Sequence, residues 1–402
     1  MTIWLSIGLV FTFSAILFVL LRWGNMQCVG VTPVHTFTFM AILFTSGLDV
    51  GLIMFPLTEF GMYAEEGVYD FANPLAVEFG FWAFLIWSFY FLTCFYFCVI
   101  EPRVRFFEIP LVKVVNNVII IGTCAFTAFL LLSNLPWYMP QLGDGETVVP
   151  TFYAIVFAAI AAAVYSSTSI KYVRILSVST SWMFIALIAI MWGGAFLTDN
   201  GNVGDFFSTL GLLSEYFTNI HEFMMPLTEY HEFYLYWWFA WSIMIGQFTA
   251  RFVGGLKTWQ LLLAMMALPS LAIGVWFTVL YYYHLEDLST SGFYNILMVS
   301  VGITMVVNSL DSLIRLYTDN LDLTVKRFGK GRYIAGNLAA MTGLTLLFQL
   351  EFLQIEWVGA LVIGLFFGCL GYILVKKRST VWAINSSPEE NTLDYTRIDR
   401  TT

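Results

Sequence analysis

The chain has 402 residues, 59% of them hydrophobic and 11% charged, with a mean hydropathy of +0.78 and a formal net charge of −9. A soluble domain carries about 25% charged residues, so this composition excludes a soluble globular fold. At ~20 apolar residues per span, the length holds about ten or eleven membrane spans with their loops and no separate soluble domain.

The first apolar segment, 3–21, has no basic stretch before it and no small-residue cleavage site after it, so it reads as a retained span. Ten more follow near 34–62, 78–100, 112–135, 149–168, 171–197, 232–253, 258–283, 293–317, 332–351 and 356–376, which makes eleven. The loops between them alternate in charge. Arg22, Arg103 with Arg105 and Lys113, Lys171 with Arg174, Arg251 with Lys257, the basic loop from Lys326 to Arg332, and Lys376–Arg378 all fall on one side. Glu65, Glu66, Asp70, Asp144, Glu146, Glu286 and Asp287 fall on the other. The excess of Lys and Arg on cytoplasmic loops then puts the N-terminus outside and the C-terminus inside.

Segment 203–225 is apolar with interspersed polar positions and reads as an outer interfacial helix. Five spans precede it after the first, and five follow. An odd number of spans makes the two halves cross in opposite senses, the arithmetic of an inverted repeat with its site at the bilayer midplane. The divisions are a peripheral span over 1–30, a first repeat over 31–200, an amphipathic segment over 201–231, a second repeat over 232–378 and a disordered tail over 379–402.

Within the second span, Gly47, Asp49, Gly51, Pro56 and Glu59 interrupt the apolar pattern. A charge at that depth costs about 2.5–3.5 kcal/mol on insertion scales, and glycine and proline free backbone groups to meet a ligand. This segment points to a transport site. A second cluster is aromatic: Trp82, Trp87 and Tyr90 in the third span, and Tyr236, Trp237, Trp238 and Trp241 in the seventh. Trp87 and Tyr90 share a helix face, as do Trp238 and Trp241, whereas Trp82 stands about 140° round from Trp87. Such faces can surround a quaternary ammonium group, each contact contributing about 0.5–2 kcal/mol. Tryptophan also belongs at membrane interfaces, the plainer account of any one of these rings. Glu59 reads as a paired structural carboxylate, Asp311 as a helix-end partner, and Lys171 and Arg174 as inner-surface anchors. The histidines and cysteines show no metal spacing. Neither HExxH nor GxSxG is present, which argues against a membrane enzyme.

Four motifs in order resemble the betaine/carnitine/choline transporter family: Gly47-Leu-Asp-Val-Gly51 through Glu59-Phe60; Trp82, Trp87 and Tyr90; Phe233 to Ser242 followed by Gly246 and Arg251; and Ser309-Leu-Asp-Ser312. The similarity covers roughly residues 30–378. It implies an all-α polytopic membrane protein with a leucine-transporter-like five-plus-five inverted repeat and one extra N-terminal span. It implies a secondary transporter of betaine, choline or carnitine type in the cytoplasmic (inner) membrane, coupled to sodium or protons, and a homotrimer. The other reading is a proton-coupled or exchange transporter of a different small amine or amino-acid-like solute, and behind it a membrane enzyme or receptor.

The resemblance assigns the solute to Trp82, Trp87, Tyr90, Trp237, Trp238 and Trp241 with Asp49. It assigns a cation to the backbone of Thr45 and Leu48 and the side chains of Asn308 and Ser309, and hinges to Gly47, Gly51 and Gly246. No organic cofactor, nucleic acid or metal other than sodium is expected. The chain departs from the family at Asp49, where a glycine is usual, at Phe60, where proline is usual, at Pro56, and at Asn308, where threonine is usual.

Overall fold

The computed structural model describes residues 1–48, 51–197, 202–350 and 354–385. It is a bundle of helices joined by short turns. The first half holds α1 (Thr2–Trp23), α2 (Thr36–Ser46), α3 (Gly51–Met54), α4 (Pro56–Glu65), α5 (Pro74–Trp82), α6 (Leu85–Phe95), α7 (Glu101–Val104), α8 (Pro110–Tyr138), α9 (Pro150–Ser166) and α10 (Ile170–Ala195). Two short helices, α11 (Val203–Gly211) and α12 (Ser214–Thr218), lead into the second half. That half holds α13 (Glu229–Thr249), α14 (Thr258–Leu285), α15 (Phe293–Asn320), α16 (Val325–Phe328), α17 (Lys330–Gln349), α18 (Ile355–Tyr372) and α19 (Arg378–Trp382). A two-stranded antiparallel ribbon, β1 (Gln27–Val29) with β2 (Gly254–Lys257), ties the start of one half to the second.

Every expected span falls on a helix or a helix series. Seven helical stretches among the described residues are long and apolar enough to cross a membrane. The other four expected spans are a series of three short helices (α2, α3 and α4), the 17-residue α9, and α13 and α17 of 21 and 20 residues. The protein is an all-α, multi-pass membrane protein. Its many large apolar side chains on outward faces, such as those of Leu111, Val118, Leu263 and Leu271, fit a lipid surface rather than water. All five cysteines are buried free thiols.

The packing repeats between the halves. α2 lies against α10 as α13 lies against α18, and α9 lies against α15 as α17 lies against α8. α6 meets α14 and α8 meets α15, each pair joining corresponding helices of the two sets. α1 packs outside this arrangement, along α6, α13 and α18. The segment after α10 folds as an amphipathic cover. Asn73 donates its backbone N–H to Glu215 at 2.7 Å and its amide to the Leu212 carbonyl at 3.0 Å, and Asn219 donates to the Phe71 carbonyl at 2.9 Å.

Two features differ from the expected pattern. The third span is not one helix: α5 stops at Trp82 and α6 starts at Leu85, with Phe84 in the left-handed region at φ 34°. A non-glycine residue held there costs about 1–3 kcal/mol. Phe84 is retained by its surroundings, since its N–H donates to Ser270 Oγ of α14 at 2.8 Å. No glycine or proline marks the break in the sequence. The hinge expected at Gly246 is also different: α13 runs unbroken through it. A Cβ there would meet Thr93 and Cys94 of α6, so this glycine serves the close approach of two helices, not a bend.

Candidate functional site

The helix of the second span ends at Ser46 and resumes at Gly51. Asp49, assigned to the solute from the sequence, lies outside the described residues. Both flanking glycines are set by close approach. A Cβ on Gly47 would lie 3.2 Å from Tyr90 Cε2 and 3.4 Å from Trp87 Cη2; one on Gly51 would lie 2.9 Å from Trp82 Cη2 and from Phe55 Cε2. The interrupted backbone is therefore laid directly on the aromatic face of α5 and α6, and the Tyr90 hydroxyl donates to the Gly47 carbonyl at 3.4 Å.

The rings come together across the halves. Trp82 meets Trp238 edge-on at 5.1 Å and Trp237 at 5.8 Å; Trp237 and Trp238 stack at 5.0 Å. Trp87 meets Tyr90 at 5.3 Å, and Tyr90 meets Trp238 at 6.5 Å. Tyr234 and Phe277, not singled out in the sequence, close on Trp82 at 5.8 and 6.4 Å. Trp241 is fully buried but forms none of these pairs among the described residues, so its predicted sharing of a face with Trp238 does not bring it to the cluster. Trp82 meets its neighbours edge to face, an arrangement that aromatic quadrupoles favour, while Trp237 and Trp238 are stacked.

The indole N–H groups answer the broken helices. Trp87 Nε1 donates to the Trp82 carbonyl at 3.1 Å, Trp238 Nε1 to the Phe81 carbonyl at 2.9 Å, and Trp276 Nε1 to the Leu52 carbonyl at 3.0 Å. Carbonyls at a helix end lack intrahelical partners, and leaving them bare in an apolar interior costs several kcal/mol, roughly. Trp87 and Trp238 thus both satisfy the carbonyls at the break and form part of the aromatic surface.

Behind the break, α15 supplies oxygen. Ser309 Oγ donates to the Leu48 carbonyl at 2.5 Å and reaches the Thr45 carbonyl at 3.3 Å. Ser312 Oγ meets Ser46 Oγ at 2.7 Å, and Asp311 accepts from Ser166 at 2.5 Å and from Ser312 at 3.2 Å. Three of the four residues assigned to the cation therefore converge. Asn308 faces α10 instead: its amide donates to Thr180 Oγ1 at 2.7 Å and its carbonyl accepts from Ser177 at 3.2 Å. That amide therefore stands apart from the Thr45, Leu48 and Ser309 oxygens.

The sequence reading also passed over Glu78. It is fully buried on α5, one helical turn before Trp82, and neither carboxylate oxygen has a hydrogen-bond partner. Its position at the head of a span carries no signal of this burial.

At the end of the bundle that the charge pattern assigns to the inside, Arg251 pairs with Asp319 at 2.8 Å, and Arg315 joins the same carboxylate at 3.1 Å. The strand leading into α2 is stitched to the same turn by Gly30, Thr32 and Val34, which donate to Val253, Arg251 and Phe252. At the opposite end, a cavity of about 540 Å³ is lined by Met54, Leu57, Tyr138 and Asn295. The Phe55 ring separates it from Trp82, contacting Trp82 at 6.3 Å and Tyr138 at 6.5 Å.

No family model matches the chain. Over 275 residues it is 26% identical to an uncharacterized transporter of Haemophilus influenzae, a match that takes in 60% of this chain and 41% of that protein. The chain thus spans about two fifths of that relative's length. Among solved structures, a Na⁺-coupled sialic acid symporter in a substrate-bound, outward-open state is similar over 94% of this chain and 82% of its own, at 14% identity and a TM-score of 0.39. At that score the likeness assigns neither fold nor function.

Proposed function

We propose that this chain is a secondary transporter of a small quaternary-ammonium solute, of betaine, choline or carnitine type, working by alternating access. The observation that carries the reading is the interrupted second span. Its glycines lie against Trp82, Trp87 and Tyr90, and its free carbonyls at Thr45 and Leu48 lie against Ser309. Broken helices at the interface of two repeats are where such proteins bind solute and coupling ion. The similarity to a bacterial transporter favours transport over an enzyme or receptor role.

In this reading the two five-span halves, 31–200 and 232–378, rock about the break, with 1–30 peripheral, 201–231 as an outer cover and 379–402 as an inner tail. Trp82, Trp237, Trp238, Trp87 and Tyr90 surround the methylated nitrogen once the rings separate; Trp241 backs them. Oxygen ligands from Thr45, Leu48 and Ser309 suit a hard cation such as sodium, with Asn308 able to join by turning from α10. Asp49 balances a cationic solute. The N-terminus lies outside the inner membrane, and three copies assemble as in the family the motifs resemble.

Uptake of labelled choline and labelled glycine betaine into proteoliposomes, under imposed sodium and proton gradients, tests the proposal. Concentrative uptake of either solute supports it. Absence of both uptake and exchange for either compound rejects the solute class. Asp49→Asn is expected to weaken choline more than betaine, because betaine brings its own carboxylate.

A further inference from the structure

Two carboxylates, Glu59 of α4 and Glu78 of α5, face each other inside the bundle, both buried. Their surroundings are unequal. Glu59 receives hydroxyl hydrogen bonds from Tyr63 at 2.8 Å, from Tyr234 at 3.0 and 3.2 Å, and from Tyr230. Each of those tyrosines has one proton to give, and Glu59 takes them. Glu78 forms none: both its oxygens are buried without a hydrogen bond, and the donors beside it are the Tyr63 hydroxyl, already given to Glu59, and the Trp82 indole N–H, itself without a partner.

No cation answers this pair. None of the ion pairs among the described residues includes either carboxylate. The sequence has no Lys or Arg between Arg22 and Arg103, none between Arg174 and Arg251, and none in 258–285. So neither α4, α5 and α6, nor α11 to α14, can supply one. The other titratable groups on these elements leave the deficit in place. Tyr69 bonds Thr228 at 2.9 Å, and His231 lies stacked on Phe81 at 4.6 Å with Nδ1 accepting from the Leu227 N–H. His284 and Tyr281 face Phe60, on α14's side of α4, and Glu215 is occupied by Asn73. Two adjacent buried anions with no counter-charge are strongly unfavourable.

A single proton removes both difficulties. Carried by one carboxyl, it lets that group donate to the other, gives Glu78 the partner it lacks, and halves the buried charge. We propose that Glu59 and Glu78 form a proton-binding site, one proton shared between the two carboxyls, that couples to the solute site. The connection is short. Tyr234 donates to Glu59 and also packs on Trp82 at 5.8 Å, and Trp82 follows Glu78 by one turn on α5. Glu59 is held to α13 by Tyr230 and Tyr234, so movement of α5 away from α13, which the transport reading requires to expose the aromatic faces, pulls Glu78 from Glu59 and frees the proton. This coupling rests on the transport reading above; the binding of the proton does not.

The test has two arms. Infrared spectra of the purified protein in neutral buffer are expected to show a protonated-carboxyl C=O band that shifts in D₂O and disappears in Glu78→Gln. Glutamine keeps the shape and can donate to Glu59, so the variant is expected to fold, as size-exclusion and thermal unfolding would verify. A spectrum without this band, or one unchanged both in Glu78→Gln and in Glu59→Gln, overturns the proton site. In proteoliposomes given labelled choline or glycine betaine on the outside, an inward proton gradient is expected to stimulate uptake. Glu78→Gln should cut that stimulation tenfold or more while solute exchange persists. Exchange without gradient stimulation in the wild-type protein overturns the coupling. Absence of exchange itself counts against the transport reading and leaves the infrared result standing.

Discussion

Ser309 and Leu48 are joined across the two halves of the protein: the serine hydroxyl of α15 donates at 2.5 Å to the carbonyl oxygen at the end of the interrupted second span. That carbonyl has lost its helical partner because the helix stops at Ser46. The same hydroxyl lies within reach of the Thr45 carbonyl. One side chain therefore holds the break from behind while the aromatic rings hold it in front.

Ser309→Ala removes the hydroxyl and leaves the Leu48 carbonyl without its donor, at a cost of about 1–3 kcal/mol for a buried unsatisfied group. The sodium concentration needed for half-maximal uptake is expected to rise tenfold or more, with Ser309→Thr close to the parent. Uptake with sodium replaced by potassium at fixed pH checks the assignment. Full activity in potassium would remove sodium from Thr45, Leu48 and Ser309.

Trp238→Ala deletes both a ring of the cluster and the N–H that satisfies the Phe81 carbonyl. Solute affinity is expected to fall at least tenfold, ~1.4 kcal/mol per decade. Trp238→Phe keeps a π face but not the donor, so it should fall between the two. Solute binding measured by tryptophan fluorescence on purified protein separates lost affinity from lost insertion. An alanine variant with parental affinity would detach the cluster from the solute.

Gly51→Ala forces a methyl group to within 2.9 Å of both Trp82 and Phe55. Overpacking of this kind costs about 1–3 kcal/mol, and the displaced ring is one that the proposed function assigns to the solute. A lowered thermal midpoint is expected together with slower uptake. Gly61→Ala, where a Cβ meets nothing within 4 Å, is the control and should leave both unchanged.

Phe55→Ala removes the ring that lies between Trp82 and Tyr138 at the wall of the 540 Å³ cavity, and is expected to open that cavity toward Trp82. Solute exchange is expected to speed up several-fold while concentrative uptake falls, because one barrier of an alternating-access cycle is missing. Equal loss of both rates would show that Phe55 packs the core without gating it.

Asp319→Asn breaks the ion pair with Arg251 and Arg315 at the opposite end. The pair is only partly exposed, so removing the carboxylate strands two arginines rather than a screened surface charge. Faster hydrogen exchange at 30–34 and 250–253 is expected, since the backbone of these segments is bonded together beside it. Unchanged protection there would exclude the clasp.

The hydrophobic pattern was enough to determine that this is an all-α, multi-pass membrane protein, and each apolar segment it marked falls on a helix or a helix series. Apolar runs of span length admit no other backbone solution in lipid. The interruption of the second span was equally legible, because Gly47, Gly51 and Pro56 break the local rule in the chain itself. The break at Phe84 was not: its cause is Ser270, 186 residues away, with indole donors from α13 and from one turn further along α6. Residue spacing likewise put Trp238 and Trp241 on one face, yet only Trp238 meets Trp82, because α13 is packed on several sides and each ring takes the neighbour it faces. Asn308 bonds α10, and Gly246 lies within an unbroken helix at a close contact with α6, for the same reason. Glu78 is the clearest case. A carboxylate at the head of a span is ordinary in sequence, and only the folded packing of α4, α5 and α13 decides that it is buried, faces Glu59 and has no donor.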